Sequence, residues 1–145
     1  MKSKVSIRRI EKNDLEFIYN SLCELEDEIL ERKSFTEIFN KNISDQNYRY
    51  LIASFKNEKV GFITFHTQYL LHHCGNVGEI QEFYISPNFR NNGIGRQLVA
   101  EIFDFAEKNK LKSIEVTTNK KRIENIAIYE NLGFNLTHNK FTICK

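Results

Sequence analysis

Residues 82–98 constrain the fold more than any other stretch: Glu82-Phe83-Tyr84-Ile85-Ser86-Pro87-Asn88-Phe89-Arg90-Asn91-Asn92-Gly93-Ile94-Gly95-Arg96-Gln97-Leu98. An apolar, aromatic and β-branched run stops at the proline, a short polar loop with two glycines follows, and a helix then opens. Strand, glycine-containing loop and helix in that order leave several backbone N–H groups unpaired and pointing one way. The helix dipole adds partial positive charge at the same place, so the turn is a natural seat for phosphate.

Twenty-one basic residues against 19 acidic ones give a net charge of only +2, too little to argue for nucleic acid or an anionic membrane, and neither is expected as a partner. No apolar stretch approaches the roughly 20 residues of a membrane span, and the N-terminus lacks the apolar region of a signal peptide. Cys23, Cys74 and Cys144, an odd count at wide spacing, suit reduced thiols in a cytoplasmic protein better than a disulfide framework. With 145 residues and no repeat or linker, one domain over residues 1–145 is expected.

Alternation over residues 5–10 predicts a first strand. Asn13 with Glu16, and Ser34 with Glu37, carry the capping-box spacing and predict the starts of two helices. Strands are expected at Tyr48–Phe55 and 60–71, joined as a hairpin through Lys56-Asn57-Glu58-Lys59, and at 78–85. The helix after Gly93 carries Leu98, Val99, Ile102, Phe103 and Ala106 on one face and ends near Asn109. A strand at 113–118 lies far enough beyond residue 85 for a parallel crossover. A helix over 125–132, closed by Gly133, and one or two strands within 134–144 complete a mixed α/β sheet.

Two motifs in this frame carry a family resemblance. Arg90-Asn91-Asn92-Gly93-Ile94-Gly95 resembles the (Arg/Gln)-x-x-Gly-x-(Gly/Ala) pyrophosphate loop of the GCN5-related N-acetyltransferases (GNAT), and it sits between a strand and a helix as in that family. Ala127-Ile128-Tyr129-Glu130-Asn131-Leu132-Gly133-Phe134 is similar to the family's Ala-x-x-Tyr-x-x-x-Gly-Phe. Either motif alone is a short glycine or aromatic pattern; the pair, about 30 residues apart with a strand between, is specific. A narrower likeness runs through Leu71-His72-His73, Gly78-Glu79-Ile80-Gln81-Glu82, Thr118-Asn119-Lys120-Lys121-Arg122 and Thr137-His138-Asn139-Lys140-Phe141-Thr142. Those segments resemble the aminoalkylphosphonate N-acetyltransferases, with the aminoglycoside 6′-N-acetyltransferases as a related group.

The resemblance implies the GNAT fold: a mixed, mostly antiparallel sheet, helices on both faces, and a fourth and fifth strand that splay apart. It implies acetyl-CoA as co-substrate, its pyrophosphate on the amides of Asn91, Asn92, Gly93, Ile94 and Gly95 between Arg90 and Arg96. Its pantetheine arm is expected along the backbone of Phe83, Tyr84 and Ile85, with Asn119, Asn125 and Tyr129 as further contacts. Tyr129 matches the family's general acid, with a packed core tyrosine as the bland reading. Glu79 and Glu82, three apart on one strand, are expected on opposite faces, so that one serves as base, with Glu79 favoured.

His72, His73 and His138 are candidate acceptor contacts, and their spacing is not that of a metal site, so no metal is expected. Glu26 lies in an acidic run that suits an ammonium group; a solvated helix face is the alternative. Lys120, Lys121 and Arg122 suit a phosphonate, a carboxylate or the coenzyme's 3′-phosphate, or are simply a solvated turn. The activity implied is direct acetyl transfer to the primary amine of a small molecule such as an aminoalkylphosphonate. Aminoglycoside, polyamine or protein amines are alternative acceptors, and an acetyl-CoA-binding regulatory module is an alternative of another class. By analogy with the family, Phe141-Thr142-Ile143 would be a strand edge for a homodimer.

Overall fold

A computed structural model describes residues 4–144. The sheet is organised around the hairpin of β2 (Tyr48–Phe55) and β3 (Glu58–Leu70). Lys56 and Asn57 at its tip have φ of 51° and 64°, the left-handed pair of a turn whose twist matches that of the strands. β1 (Val5–Arg9) joins β2 antiparallel, and β4 (Gly75–Ile85) joins β3 antiparallel. β5 (Ser113–Val116) lies parallel to β4, which gives the order β1-β2-β3-β4-β5. The crossover between β4 and β5 is α3 (Ile94–Lys108).

Each face of the sheet is covered. Leu51, Ala53, Ile63, Phe65 and Ile80 pack on Leu98, Val99 and Ile102 of α3. On the other face Ile52, Phe62 and Tyr84 pack with α1 (Leu15–Glu26) and α2 (Arg32–Ile43) through Ile18, Leu22 and Phe39. A short α4 (Glu124–Asn131) follows β5. The parallel pairing runs from Val77 opposite Ser113 to Ile80 opposite Val116 and stops there, while β4 continues to Ile85. That is the expected splay, and among the described residues one edge of β4 has no strand partner beyond Ile80.

Two expectations need correction. The proposed capping boxes are not the ones used: α2 is capped by Glu31, one turn before Ser34, and α1 follows a 3₁₀ turn closed by Asp14 on Glu11, with no side-chain cap of its own. Glu31 accepts from Lys33 N and Ser34 N to cap α2, and Asp14 accepts from Glu11 N at 2.8 Å where α1 begins. Glu16 instead pairs with Arg32. Residues 134–144 form no strand among the described residues, and Phe141 and Ile143 are 93% and 91% exposed, so the proposed dimer edge is not a strand here. His72 and His73, just beyond the expected strand, lie in a 3₁₀ turn with ring centroids 4.4 Å apart.

Candidate active site

The start of α3 is built almost wholly from backbone. Gly93, at φ 79°, caps the helix, and Asn91 at φ 65° turns the chain before it. The first helical bond is from Gln97 N to Gly93 O; among the described residues the amides of 91–96 donate to no backbone carbonyl. Gly95 is held to a different requirement, since a Cβ there would stand 3.0 Å from Phe83 Cζ. It lets α3 close on β4, so the two glycines of the loop do separate work.

The side chains around the loop brace it. Arg90 Nε donates to Ile85 O at 2.8 Å, Asn92 Nδ2 to Arg90 O at 3.0 Å, and Arg96 to Asn131 O at the end of α4 at 3.3 Å. Phe83 and Ile85 pack toward α3, and Ile94 is buried beneath the loop. Tyr84 faces the opposite way, its hydroxyl donating to Glu24 at 3.0 Å, so only its backbone lies at the free edge of β4. Beyond β5, Asn119 Oδ1 accepts from Lys121 N at 2.9 Å and Asn125 donates to Thr118 at 2.9 Å, fixing the loop that leads into α4.

The opposite face holds the titratable groups. Ile63 faces Phe83 and Phe65 faces Ile80, so Thr64 alone stands across from Gln81 and Glu82. This β-bulge cancels one step of the strand's alternation. Glu79, opposite His66, and Glu82, bonded to Thr64, therefore share one face, where strict alternation would separate them. The expectation of opposite faces is thereby corrected.

Glu82 lines a cavity of roughly 380 Å³ between α1, α2 and the sheet, walled by Leu22, Leu30, Phe39 and Tyr50, with Glu26 and Glu28 at its rim. Burial, together with the nearby Glu26, pushes the Glu82 carboxyl up; the Thr64 hydrogen bond and His66 pull the other way. Glu79 stands nearer solvent, 3.8 Å from His66 Nε2 and 3.4 Å from Thr117 Oγ1. His73 lies 3.7 Å from Glu115, His72 is exposed, and His138 sits in the tail with Nδ1 2.6 Å from Thr137 Oγ1. Arg122 donates to Leu25 O at 3.0 Å and approaches Glu26 at 3.9 Å, which fastens the loop before α4 to the end of α1.

Tyr129, on α4, packs edge-on against Phe134 with centroids 6.0 Å apart. Burial pushes its hydroxyl up, opposed by Arg122, so it holds its proton at neutral pH. Thr64 and Tyr50 escaped the sequence reading. The available signal for Thr64 was a lone hydroxyl inside Phe62-Ile63-Thr64-Phe65, a buried run where an unpaired polar group is costly. Among the described residues no group of three His, Cys, Asp or Glu could hold a metal ion, and no helix is long and apolar enough to cross a membrane.

Free amides at a helix start, with a strand edge leading away from them, fit a ligand whose pyrophosphate carries a long arm that hydrogen-bonds along its length. That is the ligand geometry of acyl-CoA transferases. The chain belongs to the acetyltransferase (GNAT) family, whose model matches residues 15–134. It is 34% identical over 136 residues to the aminoalkylphosphonate N-acetyltransferase of Salmonella typhimurium, covering 94% of this chain and 88% of that protein. Among solved structures, a transcriptional regulator from Bacillus halodurans superposes with a TM-score of 0.89 at 26% identity, covering 98% of this chain and 100% of that one. The aminoglycoside N-acetyltransferase AAC(6')-Iy in complex with CoA superposes with a TM-score of 0.87 at 18% identity, covering 100% and 97%, a likeness of fold. The protein is an N-acetyltransferase, and acetyl-CoA is its acetyl donor.

Proposed function

We propose that the protein moves acetyl directly to the primary amine of a small molecule, with Glu82 as general base and Tyr129 as general acid. The observation that carries this reading is the position of Glu82: a half-buried carboxyl on a cavity wall, on the strand whose free edge faces the donor site. Acetyl-CoA supplies the activated thioester. Glu82 takes one proton of the acceptor ammonium, which frees the nitrogen lone pair; the Tyr129 hydroxyl gives a proton to the departing thiolate, and the second proton that the nitrogen sheds as the amide forms restores that hydroxyl. The carbon–nitrogen bond forms as the carbon–sulfur bond breaks. None of Cys23, Cys74 and Cys144 lines the cavity, which favours transfer in a ternary complex over an acyl-cysteine route.

Glu82, Glu26 and Glu28 suit a cationic acceptor. An aminoalkylphosphonate is the finer reading favoured by the 34% identical relative. In it, the ammonium meets Glu82 and the phosphonate meets Arg122, whose guanidinium lies 3.9 Å from the rim residue Glu26. The test is acetyl-CoA-dependent thiol release over aminoalkylphosphonates, aminoglycosides, polyamines and lysine peptides. Turnover concentrated on phosphonates is expected; turnover concentrated on another class reassigns the acceptor. Glu82→Gln should lower kcat by about 10²-fold or more with the KM for acetyl-CoA unchanged. Full activity in that variant removes Glu82 from the chemistry.

A further inference from the structure

A single hydroxyl supports two features of the acceptor side. Thr64 is 2% exposed, in the middle of β3. Its Oγ1 accepts from Glu82 N at 2.8 Å and donates to Glu82 Oε1. A hydroxyl has one proton and two lone pairs, so both bonds form at once. The first bond satisfies the amide that the bulge takes out of the ladder; the second orients the carboxylate. Without the bulge the side chain of residue 82 would turn to the α3 face, into the core around Ile80 and Phe83.

We infer that Thr64 is the positioning residue of the acetyl-transfer base: its hydroxyl pins the β4 bulge and fixes the Glu82 carboxylate on the cavity wall. The inference rests on the reading of Glu82 as base. The groups around that carboxylate make the hydroxyl consequential. Glu26 and Glu28 stand at the rim, β2 presents Tyr50 and β3 presents His66, while α2 offers only apolar side chains to the cavity. Tyr50, whose hydroxyl accepts from Asn42 at 2.8 Å, is pushed up to about 12 by burial and stays neutral. Burial and Glu26 favour the protonated carboxyl, which is useless as a base, whereas a hydroxyl donating to the carboxylate favours the charged form. Thr64 therefore sets the lower pH bound of activity as well as the direction of the base.

The experiment is the pH profile of kcat/KM for the best acceptor of the panel, in the full chain, for Thr64→Val and Thr64→Ser. Valine keeps the shape and removes the hydroxyl, so the acid limb should move to higher pH by about one unit, with a lower plateau. Serine keeps the hydroxyl and should leave the limb where the native protein has it. A limb unmoved in Thr64→Val, or moved equally in Thr64→Ser, overturns the inference. If the valine variant does not fold, Thr64→Ala against Thr64→Ser compares the same hydroxyl. Glu82→Gln separates the two claims. Loss of both activity and the acid limb there keeps Glu82 as base, so a static limb in Thr64→Val then counts against Thr64 alone. An intact acid limb in Glu82→Gln overturns the base reading itself.

Discussion

The two halves of the site are made of different materials. On the side we assign to the donor, the groups offered are backbone: amides of 91–96 at the start of α3 and the edge of β4 past Ile80. On the side we assign to the acceptor they are side chains from α1, α2, β2, β3 and β4 that meet only when the sheet is assembled. A backbone site needs the right local conformation and tolerates most side chains. A side-chain site needs the right register, and here the register is set by a bulge bonded through one buried threonine. On that assignment the donor half suits any acyl-CoA ligand, and the acceptor half carries the specificity.

The largest expected effect comes from loosening the frame of the acceptor side. Asp14, 0% exposed at the start of α1, is bound by Arg8 at 2.8 and 2.9 Å, by Lys59 at 2.8 Å and by Glu11 N at 2.8 Å. Burial raises its pKa, but these partners outweigh burial and hold it well below the usual carboxylate range. Asp14→Asn removes the charge that three donors converge on and should cost about 3 kcal/mol in denaturant unfolding. The sign in pH follows from the depressed folded-state value. The contribution is complete above the unfolded carboxyl's value of about 4, and it is lost as pH falls toward the folded one. The native protein should thus lose stability below about pH 4 more steeply than Asp14→Asn. Equal slopes would show that the frame does not depend on this ion cluster.

The next effect isolates the donor side. Gly93 has φ 79°, and a Cβ there would meet nothing within 4 Å, so any penalty is one of backbone conformation. Gly93→Val, β-branched in the left-handed region, should cost about 2 kcal/mol and raise the KM for acetyl-CoA; Gly93→Asn, which tolerates that region, should do neither strongly. Equal losses in both variants would mean that the loop needs a bare backbone to admit its ligand, and the contrast between the two halves would weaken.

The same division explains what was legible in the chain. The strand Tyr48–Phe55, the turn at Lys56 and Asn57, the helix after Gly93 and the parallel partner near residue 113 all follow from local pattern. The relation of Glu79 to Glu82 does not, because a bulge is a property of two strands and strict alternation is all that one strand can state. The caps failed for a nearer reason: Glu31 stands one turn before Ser34 and takes its amide, and at α1 the carboxylate next to Asn13 turns back to Glu11 N and the cations of Arg8 and Lys59. Residues 134–144 carry β-type side chains but gain no pairing, and composition alone cannot supply a neighbour.

Tyr129 gives the smallest effect and the finest test, because it belongs to neither half alone. Its helix is tied to the donor loop through Arg96 and Asn131, and the loop before that helix is tied to the acceptor side through Arg122 and Leu25. The ring packs edge-on against Phe134, a contact that Tyr129→Phe preserves, so stability should change little. What the variant loses is a hydroxyl proton that burial keeps in place at neutral pH. A thiolate leaves readily without full protonation, so the loss in kcat should be modest, about tenfold, at unchanged KM for acetyl-CoA. A rise in KM with kcat intact would assign the hydroxyl to donor binding. An unchanged rate would leave Tyr129 a packing residue and place the chemistry of this enzyme on the acceptor face alone.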